Sequence, residues 1–315
     1  MTPAPLTPRR LPSLDAVPHA IPYQGSKRQL AHAIVPLLPL DTARLIEPFA
    51  GSAAVSIAAA YLAIPKATVI SDVNEPLMAL WQRIITDPAT LADDYESLWE
   101  AQLSDPRSYY EEIRSKFNAT SEPHFLLYLL ARCVKAAVRY NRQGEFNQGA
   151  DNRRLGAKPA TMRKRLQATA KALAGSTALA RDYTAALEAA DVEDVVYMDP
   201  PYEGVSNTRD HRYMAGLPRA DFVTNLRSAI DRGVSFIISY DGSTGVKSYG
   251  RPLTETLDLM HLHLDAGKSS QATLNGNTAH TVESLYLSPA LITRLGGAEQ
   301  VIAHLRPVAA EPVLL

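Results

Sequence analysis

Cysteine is nearly missing from this chain. One residue, Cys133, stands among 315, which excludes an internal disulfide and a cysteine-built metal cluster. Histidine is sparse as well, and none of the eight falls in the H-E-x-x-H spacing of a metalloprotease. No apolar run is long enough to span a bilayer. The Pro-rich opening, MTPAPLTPRRLPSLDAVPHA, lacks the apolar stretch of a signal peptide. There is no internal repeat, and no low-complexity tract beyond that opening. The net charge is only −1, so a broadly basic coat for nucleic acid is excluded while a local basic patch is not. Hydrophobic residues make up 46% and charged residues 21%, enough apolar side chain for a sizeable core. These features suggest a soluble, cytoplasmic protein without metal or membrane. Its expected parts are an α/β domain, a smaller inserted module and a flexible arm over residues 1–20.

What is present is organised around one stretch. Val195-Val196-Tyr197-Met198 is an apolar, β-favouring run that carries Asp199 to its end, followed at once by Pro200, Pro201 and Tyr202. The prolines stop the strand. In open α/β sheets, ligands bind beyond the carboxyl ends of strands, so Asp199 is delivered to a crevice edge with an aromatic plate three residues on. That pairing suits an amine on a planar base. The nitrogen lone pair of such an amine is conjugated into the ring. A carboxylate and a backbone carbonyl that accept its two N–H bonds can turn it toward a tetrahedral shape and free the pair. The bland alternative is a strand-end turn with a capping Asp.

Two earlier strands point the same way. Arg44-Leu45-Ile46-Glu47 runs into the small-residue turn Pro48-Phe49-Ala50-Gly51-Ser52-Ala53 and then a helix, where backbone N–H groups can approach a ligand closely. Ala67 to Asp72 is a strand that ends in an acid, the place where α/β folds hold ribose hydroxyls. A helix N-cap is the competing role for Asp72. Tyr23-Gln24-Gly25-Ser26-Lys27 matches only part of a P-loop. A single glycine in the cofactor turn makes a nicotinamide oxidoreductase a weak alternative.

Between about residues 88 and 135 the apolar spacing is helical. Then Arg139-Tyr140-Asn141-Arg142-Gln143-Gly144-Glu145-Phe146-Asn147 breaks the period with turn residues. Cations crowd around it: Arg132, Lys135, Arg139, Arg142, Arg153, Arg154, Lys158, Arg163, Lys164 and Arg165, opposed nearby by Glu145 and Asp151. A solvated helix face would look similar. The interleaved Tyr140, Asn141 and Asn147 favour a DNA-reading segment, with charges for phosphates and amides for base edges. Farther on, VSNTRDHRYMAGLP reads as a polar lid, Val234 to Asp241 as a buried strand and TVESLYLSP as a late strand. The alternation of strands and helices predicts a parallel sheet with crossovers.

These pieces, in this order, resemble the DNA N6-adenine methyltransferases of the Dam type, the alpha or D12 class. The resemblance covers roughly residues 20 to 290. It is carried by Asp199-Pro200-Pro201-Tyr202, Glu47 to Ser52, Ser71-Asp72-Val73-Asn74, Gly25-Ser26-Lys27 and the 139–147 segment. Ala53 stands where a second glycine is common in that family. The resemblance implies a Rossmann-like sheet with helices on both faces and a small, mainly helical inserted recognition domain. Residues 21–87 and 175–290 would form the catalytic part, 88–174 the insert and 291–315 a C-terminal helix or tail. It implies S-adenosyl-L-methionine as methyl donor. Tyr23, Lys27, Phe49 and Gly51 would lie beside the cofactor, Asp72 at its ribose and Asp182 at its adenine. Asp199 would touch both cofactor and target. Asp199 and the Pro200 carbonyl would accept from the target amine, and Tyr202 would stack on the base. Arg139 matches a base-contacting arginine. Tyr140, Asn141, Arg142, Asn147, Lys135, Arg153 and Arg154 would complete the contact with double-stranded DNA. The alternatives are a cytosine-N4 or RNA-base methyltransferase and a catalytically silent DNA-binding protein on the same fold. A cognate restriction endonuclease is compatible as a genetic partner. A monomer in the bacterial or phage cytoplasm is the default.

Overall fold

The computed structural model describes residues 5–201, 217–244, 247–249, 251–268 and 280–306. Eight strands form one sheet: β1 (Arg44–Glu47), β2 (Ala67–Asp72), β3 (Thr177–Ala180), β4 (Val195–Met198), β5 (Ser235–Thr244), β6 (Lys247–Tyr249), β7 (Met260–Lys268) and β8 (His280–Leu287). Their order is β3-β2-β1-β4-β5-β8-β7, with β6 paired to β5. The first five run parallel, as the alternation predicts. The far side departs from that prediction, because β8 lies antiparallel between β5 and β7. An apolar run buried on both faces carries no signal of strand direction, and Leu285, Tyr286 and Leu287 of β8 are all buried. β7 itself is a half-buried strand: in Met260-His261-Leu262-His263-Leu264, the two leucines are buried.

The sheet is covered on both faces. Val195 and Tyr197 of β4 face one apolar cluster, Val196 and Met198 the other. That double burial explains a run with no polar alternation. The second cluster is sealed by α8 (Tyr183–Glu188) and α9 (Arg219–Asp231) through Leu187, Phe222 and Leu226. The first holds α1 (Ala31–Ile34), α2 (Ala54–Tyr61) and α3 (Glu75–Thr86). It continues without a break into α4 (Pro88–Ala101), α5 (Pro106–Thr120), α6 (Pro123–Arg132) and α7 (Pro159–Ala172) through Trp81, Tyr95, Tyr110, Leu126 and Leu166. Each of α4 to α7 opens on proline, whose missing N–H costs nothing at a helix start. Asp87 and Asp105 cap the first two by accepting from Thr90 N and Ser108 N. Helices α4 to α7 therefore share the core of the sheet rather than closing one of their own.

The arm expected to be loose is docked from residue 5 onward. Leu6 pairs in parallel with Leu264, its N–H donating to the His263 carbonyl at 2.7 Å, and Leu14 and Val17 are buried in the first cluster. Prolines forbid a long helix there, but the open edge of β7 offers unpaired backbone groups, and Leu6 uses them. At the other end, α10 (Pro289–Arg294) and α11 (Ala298–Leu305) bury Leu291, Val301 and Leu305.

Candidate active site

The chain order reverses between β1 and β4, which lie side by side although β2 and β3 come between them in sequence. Their carboxyl ends open onto a cleft of about 580 Å³. Tyr23, Lys27, Phe49, Gly51, Asp72, Asp182 and Asp199 all line it.

Asp72 closes β2. Its Oδ2 accepts from Gly51 N at 3.3 Å and its Oδ1 from Asn74 N at 3.0 Å. Burial pushes its carboxyl above the usual range, against those backbone donors. The cap of α3 is Asn74, which accepts from Leu77 N at 3.2 Å, so the competing helix-cap role falls to Asn74. The turn after β1 is tightly wound, with Phe49, Gly51 and Ala53 all at positive φ. A Cβ at Gly51 would meet Tyr23 Cε1 at 3.0 Å, and Trp81 Nε1 donates to the Gly51 carbonyl at 2.9 Å. Ala53, in place of the family's glycine, sits in the left-handed region at φ 48°, a conformation that costs about 1–2 kcal/mol for a residue with a Cβ. Phe49 stacks on Tyr183 with centroids 5.3 Å apart. Asp182 caps α8 by accepting from Thr184 N at 2.9 Å and Thr184 Oγ1 at 2.7 Å, so its carboxylate is partly spent on the helix.

Asp199 follows β4 directly. Its Oδ1 takes the Lys27 ammonium at 3.3 Å and the Ser239 hydroxyl at 3.0 Å. Ser239 in turn meets the buried Tyr197 hydroxyl at 2.9 Å. Lys27 also lies 3.5 Å from Glu283 Oε2 on β8. Burial drives the Asp199 carboxyl above the usual range, Lys27 opposes this and Glu283 adds to it. Burial works against the Lys27 charge, yet Asp199 and Glu283 together hold its pKa above the ordinary lysine value. Pro200 is buried behind Asp199 and Pro201 lines the cleft. Tyr202 and most of the lid segment lie outside the described residues.

Four lining or supporting residues had no assigned role in the sequence reading. Glu47 ends β1, is buried, and accepts from Ser56 N at 2.7 Å. Burial raises its carboxyl to about 7, against the Ser56 donors and with the Asp199 charge. The rule that singled out Asp72 and Asp199, an acid at a strand end, would have found it. Tyr183, Ser239 and Glu283 meet the site from α8, β5 and β8, and no local motif marks them.

The basic segment is more divided. Tyr140 and Phe146 form an isolated bridge, and their rings meet edge to face. The Asn141 side chain shapes the turn between them, accepting from Gln143 N and Glu145 N at 2.9 Å and donating to Glu145 Oε2 at 2.8 Å. Asn118 grips Phe146 through both backbone groups. Arg142 is exposed near the tip, as are Asn147 and Lys135, while Arg139 is half-buried. Tyr140 is buried in the cleft wall, its hydroxyl donating to Asn74 Oδ1 at 3.2 Å. Arg132 departs from the expected cationic surface. It is buried and donates to the carbonyls of Asp151, Arg154 and Pro106. Arg153 and Arg154 both pair with Asp151, which Arg153 holds down to about 2. Arg163 bridges Asp93 and Glu96 at 2.7 Å each.

Residues 23–262 match the family described as D12 class N6 adenine-specific DNA methyltransferase. The retron Ec67 DNA adenine methylase of Escherichia coli is 29% identical over 188 residues, covering 58% of this chain and 62% of that one. The DNA N-6-adenine-methyltransferase of Escherichia phage P1 is 28% identical over 238 residues, 71% of this chain and 30% of that one. The type II methyltransferase M.MjaIII of Methanocaldococcus jannaschii is 27% identical over 205 residues, 59% of this chain and 69% of that one. The match thus spans less than two thirds of the length of the first two. With a family match running from Tyr23 through the Gly51 turn and the Asp199 strand end to Leu262, the chain belongs to the D12 class of N6 adenine-specific DNA methyltransferases.

Proposed function

We propose that this protein transfers a methyl group from S-adenosyl-L-methionine to N6 of an adenine flipped out of double-stranded DNA. The observation that carries this reading is Asp199: a half-buried carboxylate at the end of β4, paired with Lys27, in the same cleft as Asp72 and the Gly51 turn.

The cleft fits the cofactor. The turn at Gly51 leaves no room for a Cβ beneath Tyr23, so backbone and ring form a close cradle. Asp72 has one backbone donor on each oxygen, which leaves lone pairs for ribose hydroxyls. Phe49 offers an aromatic face and Asp182 an acceptor for the adenine. When bound, S-adenosyl-L-methionine supplies a methyl carbon on a sulfonium. The residues supply position and polarity. Asp199 and the Pro200 carbonyl accept the two amine N–H bonds, and the nitrogen turns tetrahedral with its pair exposed. Lys27 favours the ionised form of Asp199 against the pull of burial. The proton shed by the amine after transfer can pass to Asp199, whose burial raises its proton affinity. Tyr202 stacks on the base.

A stacked adenine cannot reach such a cleft, so it leaves the helix at a cost of a few kcal/mol. The hairpin tip around Arg142, with Arg139, Asn141, Asn147 and Lys135, holds the duplex meanwhile, while Arg153 and Arg154 stay on Asp151. We assign residues 88–174 to this recognition role. One relative is named a type II methyltransferase, and we propose a cognate restriction endonuclease as a genetic partner. We further propose that the protein works as a monomer in the cytoplasm. No helix among the described residues is long and apolar enough to cross a membrane, and no metal-binding group occurs among them.

The test is nucleoside analysis of duplex DNA treated with the full chain and labelled cofactor. Label in N6-methyladenine is expected. Label in N4-methylcytosine, or only in RNA, would overturn the assignment.

A further inference from the structure

Lys27 sits unusually for a lysine in an ion pair. A committed ammonium–carboxylate contact runs at about 2.7–2.9 Å. Lys27 Nζ lies 3.3 Å from Asp199 Oδ1 and 3.5 Å from Glu283 Oε2, suspended between two acids. Ser239, placed by β5, also donates to Asp199 Oδ1, and the Tyr197 hydroxyl lies on its other side. Both contacts fall on Oδ1.

Resting on the methyl-transfer reading above, we propose that Glu283 is a positioning residue: it draws the Lys27 ammonium away from a full pair with Asp199, so that Asp199 stays charged yet under-satisfied and its Oδ2 accepts from the target amine. A carboxylate fully paired with lysine is a poorer acceptor, and one with no lysine would be driven further toward its neutral form by burial. Glu283 sets the intermediate state. Among the described residues, the titratable groups that face Asp199 are Lys27 from the N-terminal turn, Glu47 from β1, Tyr197 from β4 and Glu283 from β8. Among the described carboxylates, Glu283 shares Lys27 with Asp199 in a salt bridge.

The test uses the full chain with E283Q, E283D and K27M. In E283Q, kcat on duplex DNA should fall roughly ten- to a hundredfold, as for other small misplacements of a reacting group. KM for cofactor and DNA should stay within about twofold, and the acid limb of the kcat profile should move to lower pH. E283D should restore part of the rate. A kcat unchanged in E283Q, or one lowered with the acid limb unmoved, would overturn the proposal. A second reading needs no turnover. Carbon NMR of 13C-carboxyl-labelled protein, with D199N to assign the signal, follows Asp199 directly. Its titration should move down in E283Q and up in K27M. An Asp199 titration that ignores Glu283 would overturn the shared lysine whatever base the enzyme methylates. A wild-type chain that makes no N6-methyladenine would instead sink the methyl-transfer reading while the NMR result stands.

Discussion

The cleft and the basic segment were both marked by local sequence, and the fold treats them differently. At the cleft, acids that are far apart in the chain come together because three strand ends converge: Glu47, Asp72 and Asp199 all meet one cavity. In the basic segment, cations adjacent in the chain are drawn apart. Arg132 is buried on carbonyls, Arg163 goes to Asp93 and Glu96, and Arg153 and Arg154 go to Asp151. The cleft gathers side chains around one cavity, while much of the basic run spends them on acceptors among its own neighbours. The lesson is that a strand-end acid keeps its role through topology, whereas a cation in a loop keeps its role only if no nearby acceptor claims it.

The comparison predicts its own largest effect at Asp199. Asp199→Ala should lower kcat about a thousandfold or more, the scale of losing a principal polar contact to the transition state. Duplex affinity should stay within a few-fold. Parallel methylation assays and gel-shift titrations check this, and a loss shared equally by both would remove the division between the two regions. Gly51→Val should come next. A side chain there meets Tyr23 and forces a strained turn, so cofactor affinity by calorimetry should fall roughly a hundredfold, about 2.7 kcal/mol.

Glu47 offers a pH-dependent test of the same end of the sheet. Its carboxyl titrates at about 7 in the fold, against 4.5 for an ordinary glutamate. The fold thus holds its proton more tightly than the unfolded chain does. That contribution is fully present below the unfolded value and is lost as pH rises toward 7. The loss is on the order of a few kcal/mol across that window. Glu47→Gln should remove it, leaving denaturant midpoints flatter between about pH 5 and 7 than in the wild type. A variant as pH-sensitive as the wild type there would assign the titration elsewhere.

The parallel half of the sheet was legible because its strands are buried on both faces and end in acids. Val195 to Met198 could hardly be anything else. β7 escaped notice because its period-two leucines, Leu262 and Leu264, alternate with histidines rather than with residues typical of strands. The docking of Leu6 on that strand could not be foreseen without it. Glu283 and Ser239 reach Asp199 only through the order β4-β5-β8, a property of pairing rather than of any motif. Arg132 was misplaced for a related reason. A charge run read in one dimension does not show which member ends a helix facing inward.

At the hairpin the expected effects are smaller and fall on specificity. Arg139→Ala should relax discrimination at one base pair by about 1–3 kcal/mol, read by competing duplexes that differ at single positions. Preferences that stay unchanged at every position would move base reading away from Arg139.

The smallest effect should separate cations that are spoken for from those that are not. Each phosphate contact adds about one to the slope of log affinity against log salt. Arg142 is exposed near the tip, with no acidic partner among the described residues, so Arg142→Ala should lower that slope by about one. Arg153 is just as accessible, but Asp151 takes it with two contacts, at 2.9 and 3.1 Å. Its charge is matched before DNA arrives, and little counterion is left for it to release. Arg153→Ala should therefore change the slope by much less than Arg142→Ala. Equal changes would mean that duplex DNA outcompetes Asp151, and the basic run would then act on DNA as a whole, as its sequence first suggested.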